Sequence, residues 1–372
     1  MKLFNGFSQA VTGSSRLTGM MKKTRMYSGI GVLCLCSAVA LFAASPNQVR
    51  RMKHRIKHAW GLFYGDANPN QIAILHHYNQ NTTPVFTVPA GAVRAAYDGR
   101  NMWVTSYSGG KVTALQGNTG KLFCTASLGS TNALGTVFDG AHIWVTGFGS
   151  GDLYEINADT CATLHTVTGF SSPYYPAFDG TYVWVPNSTG NNCVSRVLAK
   201  APFTVTNYSP AGYTGSGCTS AAFDGTYINV VADNQLTVYV LNPSNGATVA
   251  AIPAGSGQLF DIAFDAVAGS NSNGNASLWV TDRANNLLIE LDSGPASCFC
   301  VLNTFATNAK PQGVAFDGND VWVSETGSNS VSMFAIDGSG YTGNTTSFTQ
   351  PAGLAFDGAS MWVAGGNKVG KM

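Results

Sequence analysis

Apolar and polar positions after about residue 83 follow the spacing of short β-strands separated by tight turns. In GVAFDGNDVWVSETG, residues 313–327, a short apolar stretch leads into Asp-Gly and then into a β-branched and aromatic stretch. Asp-Gly signals a hairpin because glycine accepts positive φ and aspartate hydrogen-bonds to its own turn. β-branched and aromatic residues favour strands. An alternating stretch at 329–337 and an outer one at 344–351 complete four predicted strands.

This unit recurs along the chain as an aromatic residue, Asp-Gly, three further residues and Trp-Val. Its aspartates are Asp98, Asp139, Asp179, Asp224, Asp265, Asp317 and Asp357, with steps of 41, 40, 45, 41, 52 and 40 residues. Asn229 replaces the tryptophan of the fourth unit, and an insertion delays Trp279 in the fifth. Four strands in about forty residues are typical of a propeller blade. We therefore predict an all-β fold, a seven-bladed β-propeller with four-stranded blades.

The two ends of the repeat region complement each other. The last unit stops at residue 372 without an outer strand, and the stretch 83–91 reads as an outer strand with no inner strands before it. Pairing residues 83–88 with the last unit would complete the last blade and remove two free sheet edges. The Asp-Gly turn and the tryptophan recur in almost every unit, whereas a catalytic residue is needed once, so we expect them to be architectural.

Charge separates the beginning of the chain from its body. Ten of the twenty Lys and Arg residues lie at or before Lys57, whereas residues after it carry ten basic and nineteen acidic side chains, a net charge of −9. A nucleic-acid-binding surface needs a basic patch. The body of the chain lacks the charge for one, so we expect no nucleic-acid partner.

Residues 21–45 have the layout of a secretory signal peptide, with Lys22, Lys23 and Arg25 before an apolar run and small residues after it. The run is shorter than the ~20 residues of a membrane-spanning helix. We predict a signal peptide region at 1–44, whose true start is Met20 or Met21, and a secreted, periplasmic or extracellular location after cleavage. The alternative is an uncleaved anchor.

A basic leader is predicted at residues 45–82, ahead of the propeller at 83–372. Its segment 47–63 spaces basic and apolar residues helically and could lie on an anionic membrane surface. The alternative is a solvated leader. Membrane contact is therefore expected only through the N-terminal segment.

Six cysteines remain after the signal region: Cys124, Cys161, Cys193, Cys218, Cys298 and Cys300. An even number in an exported chain favours disulfides or buried thiols, and the spacing lacks the paired motifs or neighbouring histidines of a zinc site. Cys193, before the third strand of its unit, and Cys218, in the loop leading out of it, are the first candidate pair. Cys124 and Cys161, at the outer edges of neighbouring blades, are the second.

The motif P-x-G-[VL]-A-F-D-G-x-x-[VM]-W-V at 311–323 and 351–363 resembles the repeats of NHL and YVTN propellers and, most of all, of the virginiamycin B lyase-like family. The resemblance covers residues 83–372 and implies a propeller of six or seven blades. The resemblance to the lyases implies a magnesium ion and a histidine with nearby glutamates, which together open a cyclic depsipeptide by elimination. The histidine lies in a P-H-G at the start of an inner strand.

Glu325 matches the family's glutamate and is the catalytic candidate, but Gln312 stands at the position of the histidine. Glutamine cannot accept a proton as a general base. None of the six histidines begins a predicted inner strand: His54, His58, His76, His77, His142 and His165.

Inner-strand starts and second-strand ends should meet on one face, at the mouth of the central channel. The predicted ligand-binding residues there are Arg94, Asp261, Asp282, Arg283, Gln312 and Glu325. Asp261, Asp282 and Glu325 could bind Mg²⁺ or Ca²⁺, which prefer carboxylate oxygens, as a gluconolactonase-like propeller does. The alternative is a polar pocket in which Asp282 pairs with Arg283 or solvent.

Low charge and loops rich in Ser, Thr and Asn favour a secreted binding or scaffold protein with a protein or carbohydrate partner at the cell exterior. Two alternatives stay open. One is a divalent-metal-dependent lyase or lactonase. The other is a structural subunit of an extracellular assembly.

Overall fold

The computed structural model describes residues 84–129, 132–267, 269–294, 298–336, 340–345 and 348–372. The predicted signal peptide region and basic leader lie outside these ranges. The strands are β1 (Val85–Tyr97), β2 (Asn101–Ser106), β3 (Lys111–Gln116), β4 (Leu122–Ser127), β5 (Ala133–Phe138), β6 (His142–Gly147), β7 (Asp152–Asn157), β8 (Thr163–Thr168), β9 (Ala177–Phe178), β10 (Tyr182–Pro186), β11 (Val194–Leu198), β12 (Val205–Tyr208), β13 (Cys218–Phe223), β14 (Ile228–Ala232), β15 (Thr237–Leu241), β16 (Thr248–Pro253), β17 (Leu259–Phe264), β18 (Ser277–Asp282), β19 (Leu287–Asp292), β20 (Val301–Ala306), β21 (Pro311–Phe316), β22 (Asp320–Glu325), β23 (Ser330–Ala335), β24 (Gly340–Thr345), β25 (Pro351–Phe356) and β26 (Met361–Lys371).

Neighbouring strands pair antiparallel, and the repeat units become blades of a β-propeller. Five sheets have four strands each, and the sixth has the order β25-β26-β1-β2-β3-β4. The inner strands β1, β5, β9, β13, β17, β21 and β25 each contact the next one, and β25 contacts β1 again. The inner strands therefore close a ring around a central axis, which confirms an all-β propeller with four-stranded blades.

The predicted number of separate blades is wrong, because the described residues form six sheets where seven were expected. Strand β1 causes the difference by running without a break through two units. Its beginning, Val85–Thr87, pairs with residues 368–370 of β26, and its end, from Ala92 to Tyr97, pairs with β2. The first and last repeat units thereby share one six-stranded sheet, and the N-terminal strand pairs with the C-terminal segment as expected.

Each repeat aspartate holds its turn and its tryptophan together. In the third unit, Asp179 Oδ1 accepts the backbone N–H groups of Thr181 and Tyr182, and Oδ2 accepts the indole N–H of Trp184 at 2.7 Å. The same indole bond recurs at Asp98, Asp139, Asp317 and Asp357 at 2.7 Å, and at Asp265 at 3.2 Å. In the fourth unit, the Asn229 amide donates to Asp224 at 2.9 Å in place of an indole. The recurring motif is therefore architectural, as expected.

The tryptophans fill the space between neighbouring units. Trp103 packs with Ile143 and Val145 of the next unit, and Trp144 packs with Val183 and Val185 of the one after. Five of the repeat tryptophans are fully buried: Trp103, Trp144, Trp184, Trp279 and Trp362. Since truncating a buried tryptophan typically costs 3–5 kcal/mol, these contacts are a main source of stability between units.

The glycines of the P-x-G motif allow inner strands to approach closely around the axis. A Cβ on Gly313 would lie 2.2 Å from the Ala352 carbonyl oxygen, and one on Gly353 would lie 2.6 Å from Arg94 Cα. The residue after Trp-Val adds a bond to the next unit, as when Ser324 Oγ donates to the Ala352 carbonyl at 2.7 Å. The channel is therefore narrow, and side chains from opposite units can meet in it.

Both predicted disulfides are present. Cys193 and Cys218 have Cα atoms 5.3 Å apart, and the Cα atoms of Cys124 and Cys161 are 6.4 Å apart, within the range that a disulfide spans. A third bridge, which was not predicted, joins Cys298 to Cys300. Among the described residues there is no helix long and apolar enough to span a membrane.

Candidate functional site

An arginine–aspartate pair crosses the channel. The Arg94 guanidinium, from β1, donates two hydrogen bonds to the carboxylate of Asp261 in β17, and the Nη2–Oδ1 distance is 2.8 Å. Asp261 is fully buried and also accepts bonds from Ser220 Oγ at 2.8 Å and from the Val314 N–H at 3.1 Å. Burial opposes the charge of Arg94, but Asp261 outweighs it and raises the arginine pKa. The two charges therefore compensate each other.

Tyr175 and Gln312 complete this arrangement. The Arg94 guanidinium lies 4.2 Å from the centroid of the Tyr175 ring, within cation–π distance. Gln312 forms a side-chain hydrogen bond with the Tyr175 hydroxyl. Tyr175 is buried, and burial raises its pKa well above the ordinary value of tyrosine. Together with Asp261, these residues form what we call the channel plug.

Aromatic side chains gather at the mouth of the channel. Tyr107 follows β2, Phe148 follows β6, Tyr174 precedes β9, and Phe260 lies in β17. Ring centroids are 6.0 Å apart for Tyr107–Phe148, 6.0 Å for Phe148–Tyr174 and 5.9 Å for Tyr174–Phe260, within the range of favourable aromatic pairs. Phe260 is buried, whereas the other three rings keep part of their surface in solvent. We call these four residues the aromatic rim.

Arg283 places a positive charge beside the rim. It follows β18, and its guanidinium lies 5.3 Å from the centroid of the Phe260 ring. Within the described ranges, no carboxylate forms an ion pair with it. Burial raises the pKa of Tyr174 to about 12, and the charge of Arg283 opposes this rise. Arg283 therefore lies close enough to the aromatic rim to interact with it. Within the described residues, no ion pair compensates its positive charge.

Asp233 is a second charged group near the rim, at the start of a short 3-10 helix, Asp233–Gln235. Burial raises its pKa, the Gln258 side chain opposes this by donating a hydrogen bond at 3.3 Å, and the charge of Asp282 raises it further. Burial and the neighbouring Asp282 carboxylate therefore both disfavour the negative charge of Asp233.

Asp282, which was predicted to bind a ligand, instead holds the loop before β17. Its carboxylate accepts the backbone N–H groups of Gly257, Gln258 and Asn285 at 2.9–3.1 Å and the Asn285 amide at 2.9 Å. Burial disfavours its charge, but these hydrogen bonds outweigh burial and lower its pKa. The expected alternative, a pair with Arg283, does not form either.

Glu325, the candidate catalytic residue, is also committed to its own unit. It is fully buried and accepts bonds from the Asn308 N–H at 2.9 Å, the Asn308 amide at 2.8 Å, Ser330 Oγ at 2.6 Å and Ser332 Oγ at 2.7 Å. Four donors saturate a buried carboxylate. Its position therefore gives it a role in holding the loops around β22.

The three carboxylates predicted as metal ligands are not brought together. Asp261 belongs to the channel plug, whereas Asp282 and Glu325 bind separate loops. Within the described part of the chain, no three His, Cys, Asp or Glu side chains lie close enough to hold a metal ion. Binding of Mg²⁺ or Ca²⁺ stays a prediction, but the proposed ligand set is wrong.

Sequence reasoning missed the aromatic rim because the search concentrated on titratable residues. The signal was nevertheless available in the alignment of the units. Tyr107 and Phe148 directly follow second strands, at positions where later units carry Asp233, Arg283 and Thr326. An aromatic residue at such a variable position is exposed to the channel mouth and serves no recurring structural purpose.

The fold is similar to that of several solved propellers. A streptogramin B lyase structure aligns with a TM-score of 0.62 and 15% identity, over 78% of this chain and 96% of that one. A catalytically inactive histidine-to-alanine variant of virginiamycin B lyase from Staphylococcus aureus with quinupristin gives 0.63 and 16%, over 78% and 99%. Hydrazine synthase of Kuenenia stuttgartiensis gives 0.63 and 15%, over 79% and 98%.

No family model matches the chain, and no curated protein matches it. The likeness to solved structures lies at 15–16% identity, which supports a statement about fold and leaves activity open. The chain is therefore a β-propeller whose fold is similar to that of the virginiamycin B lyase and hydrazine synthase structures.

Proposed function

We propose that this propeller is an extracellular binding protein that holds its ligand on the aromatic rim. The observation that carries the proposal is the contiguous group of partly exposed rings at Tyr107, Phe148 and Tyr174 above a closed channel plug. Aromatic rings with a few convergent polar groups are typical of binding sites, and tyrosine offers both a flat face and a hydroxyl.

The contacts and protonation of the polar side chains support ligand binding over lyase chemistry. Gln312 occupies the position of the lyase histidine and is engaged with Tyr175. The two described histidines, His142 and His165, lie against Glu155 in the second unit, with nitrogen–oxygen distances of 3.2 and 2.6 Å. With a pKa of about 12, Tyr174 stays protonated near neutral pH.

Export is the second part of the proposal. Three disulfides in a chain of this kind favour an oxidising compartment, and the signal peptide layout of residues 21–45 supplies a route. Expression of the full chain in a secreting host, followed by N-terminal sequencing, tests this. We expect a mature start close to residue 45. A full-length chain retained in the membrane would favour the uncleaved anchor.

We also propose that the six-stranded sheet behaves as two blades, which gives seven units around the axis. In support, β26 pairs with β25 through its first half and with β1 through its second half. Met361 and Met372 exchange two backbone hydrogen bonds, at 3.0 and 2.8 Å, as they would in a chain that folds back between a second and a third strand.

An array of immobilised neutral and acidic oligosaccharides and aromatic acids tests the binding proposal. We expect Tyr174→Ala to weaken binding to a recognised probe about 2- to 13-fold, because one aromatic contact is worth about 0.5–1.5 kcal/mol. Tyr341→Ala is the matched control, since this ring is 54% exposed on the outer strand β24. No binding to any probe, or equal loss in both variants, would contradict a ligand site at the rim.

A lactonase or lyase remains the second candidate, and the raised pKa of Asp233 favours it. A carboxylate with a raised pKa at a mouth is a candidate general base. Turnover of a sugar lactone or a cyclic depsipeptide by the wild type, abolished in Asp233→Asn with the fold intact, would make the protein an enzyme.

A further inference from the structure

Resting on the proposed function, we propose that the ligand carries a single carboxylate beside a six-membered ring that offers an apolar face. Arg283 binds the carboxylate, and the ring lies against Tyr174 and its neighbours in the aromatic rim.

Arg283 supplies the anion-binding group. Its guanidinium has no carboxylate partner within the described ranges, whereas the other arginine at the mouth, Arg94, is neutralised by Asp261. A guanidinium presents a planar fork of donors that fits a carboxylate with two parallel bonds. Arg283 already lies over the face of the Phe260 ring. A cationic ligand would need that ring face and would be repelled by the arginine.

The surrounding charges limit the ligand to one negative charge. Asp233 and Asp282 both lie near the mouth, and Asp282 already disfavours the charge of Asp233. The charge of Asp282 is met by its own N–H donors, so Arg283 is left to pair with one ligand carboxylate. A phosphate dianion would add repulsion from Asp233 and Asp282 that no second free cation at the rim offsets within the described residues. A carboxylate therefore fits this site better than a phosphate.

The ring component follows from the geometry of the rim. Tyr174 forms edge-to-face pairs with Phe148 and Phe260, at interplanar angles of 81° and 88°. The rings therefore form a corner and not a parallel slot, which suits one ring lying on a face with its edge against a neighbour. A uronic acid sugar and an aryl carboxylic acid share this chemistry, so the experiment must separate them.

Isothermal titration with two matched probe pairs tests the inference. The first pair is galacturonate and its methyl ester, and the second is benzoate and methyl benzoate. Within each pair the ring is kept and the charge is removed. We expect one acid to bind at least tenfold more tightly than its ester, and the preference to fall as salt rises. The pair that binds shows whether the carboxylate belongs to a uronic acid sugar or to an aryl carboxylic acid.

Variants assign the preference to Arg283. Arg283→Gln should abolish the acid-over-ester preference, and Arg283→Lys should retain part of it. Arg100→Gln makes the same charge change at an exposed turn, where Arg100 pairs with Asp159, and should leave the preference intact.

Two results would overturn the inference. Equal binding of acid and ester would reject recognition of a carboxylate and would indicate a rim that binds neutral rings. Binding of neither pair would reject this ligand class, and the array with Tyr174→Ala would then decide separately whether the rim binds a ligand at all. A preference that survives in Arg283→Gln would reject the residue assignment.

Discussion

Replacing Asp179 with alanine removes the acceptor of three hydrogen bonds at once. The indole N–H of the fully buried Trp184 then has no acceptor, and a buried unpaired donor costs about 1–3 kcal/mol. The turn N–H groups of Thr181 and Tyr182 are nearer to solvent, so their loss should resemble that of a helix cap, about 1 kcal/mol. We therefore expect the free energy of unfolding to fall by about 2–4 kcal/mol.

Urea unfolding followed by circular dichroism measures this change. Asp159→Ala is the matched control because its side chain is 75% exposed and pairs only with Arg100 at the surface, so we expect a change within about 0.5 kcal/mol. In a Trp184→Phe background, Asp179→Ala should cost about 1–2 kcal/mol less, because the indole N–H is gone. Equal effects of Asp179→Ala and Asp159→Ala would refute the architectural role of the motif.

Three further predictions concern stability. Cys193→Ser should lower the free energy of unfolding by about 2–5 kcal/mol, whereas Cys298→Ser should cost far less, because its bridge closes a loop of sequence separation 2 instead of 25; urea unfolding of both variants checks the order, and equal losses would contradict it. The lowered pKa of Asp282 adds stability above the ordinary aspartate pKa that is lost as pH falls through the folded value; Asp282→Asn should therefore flatten the acid side of the stability–pH profile, and an unchanged acid limb would reject the hydrogen-bonded role of this carboxylate. Deleting residues 84–88 removes the strand segment that pairs with the C-terminus and should lower the midpoint of a still cooperative unfolding of the whole propeller; loss confined to the last unit, detected by hydrogen exchange, would contradict closure through β1.

Repeat spacing predicted the strands, the architectural role of the Asp-Gly turn and the tryptophan, and the neighbouring positions of the cysteines, because these depend on the strand period and blade order. The same logic grouped Arg94, Asp261 and Gln312, and the structure brings Arg94 against Asp261 and Gln312 against Tyr175. It failed for Asp282 and Glu325, because a carboxylate at a strand end can turn back to nearby N–H and hydroxyl donors. Spacing along the chain does not reveal whether such a side chain will accept hydrogen bonds from nearby donors or face the channel.

The number of sheets also could not be predicted from the sequence pattern. Seven motifs predict seven inner strands, but the boundary between sheets depends on whether the backbone continues between the outer and inner parts of β1. The chain does continue, with a register irregularity between Thr87 and Ala92. Pro89 and Gly91 would both have favoured a break, yet pairing on both sides of this stretch keeps the strand continuous.

The central claim, that ligand binds on the aromatic rim, is tested most directly by fluorine NMR of protein labelled with fluorotyrosine. Resonances are assigned by Tyr→Phe variants, and the probe is galacturonate or benzoate, whichever binds more tightly by calorimetry. We predict saturable shifts of Tyr107 and Tyr174, with Tyr341 on the outer strand unchanged. Shifts of Tyr341 without change at Tyr107 and Tyr174, by a probe that binds, would contradict the account.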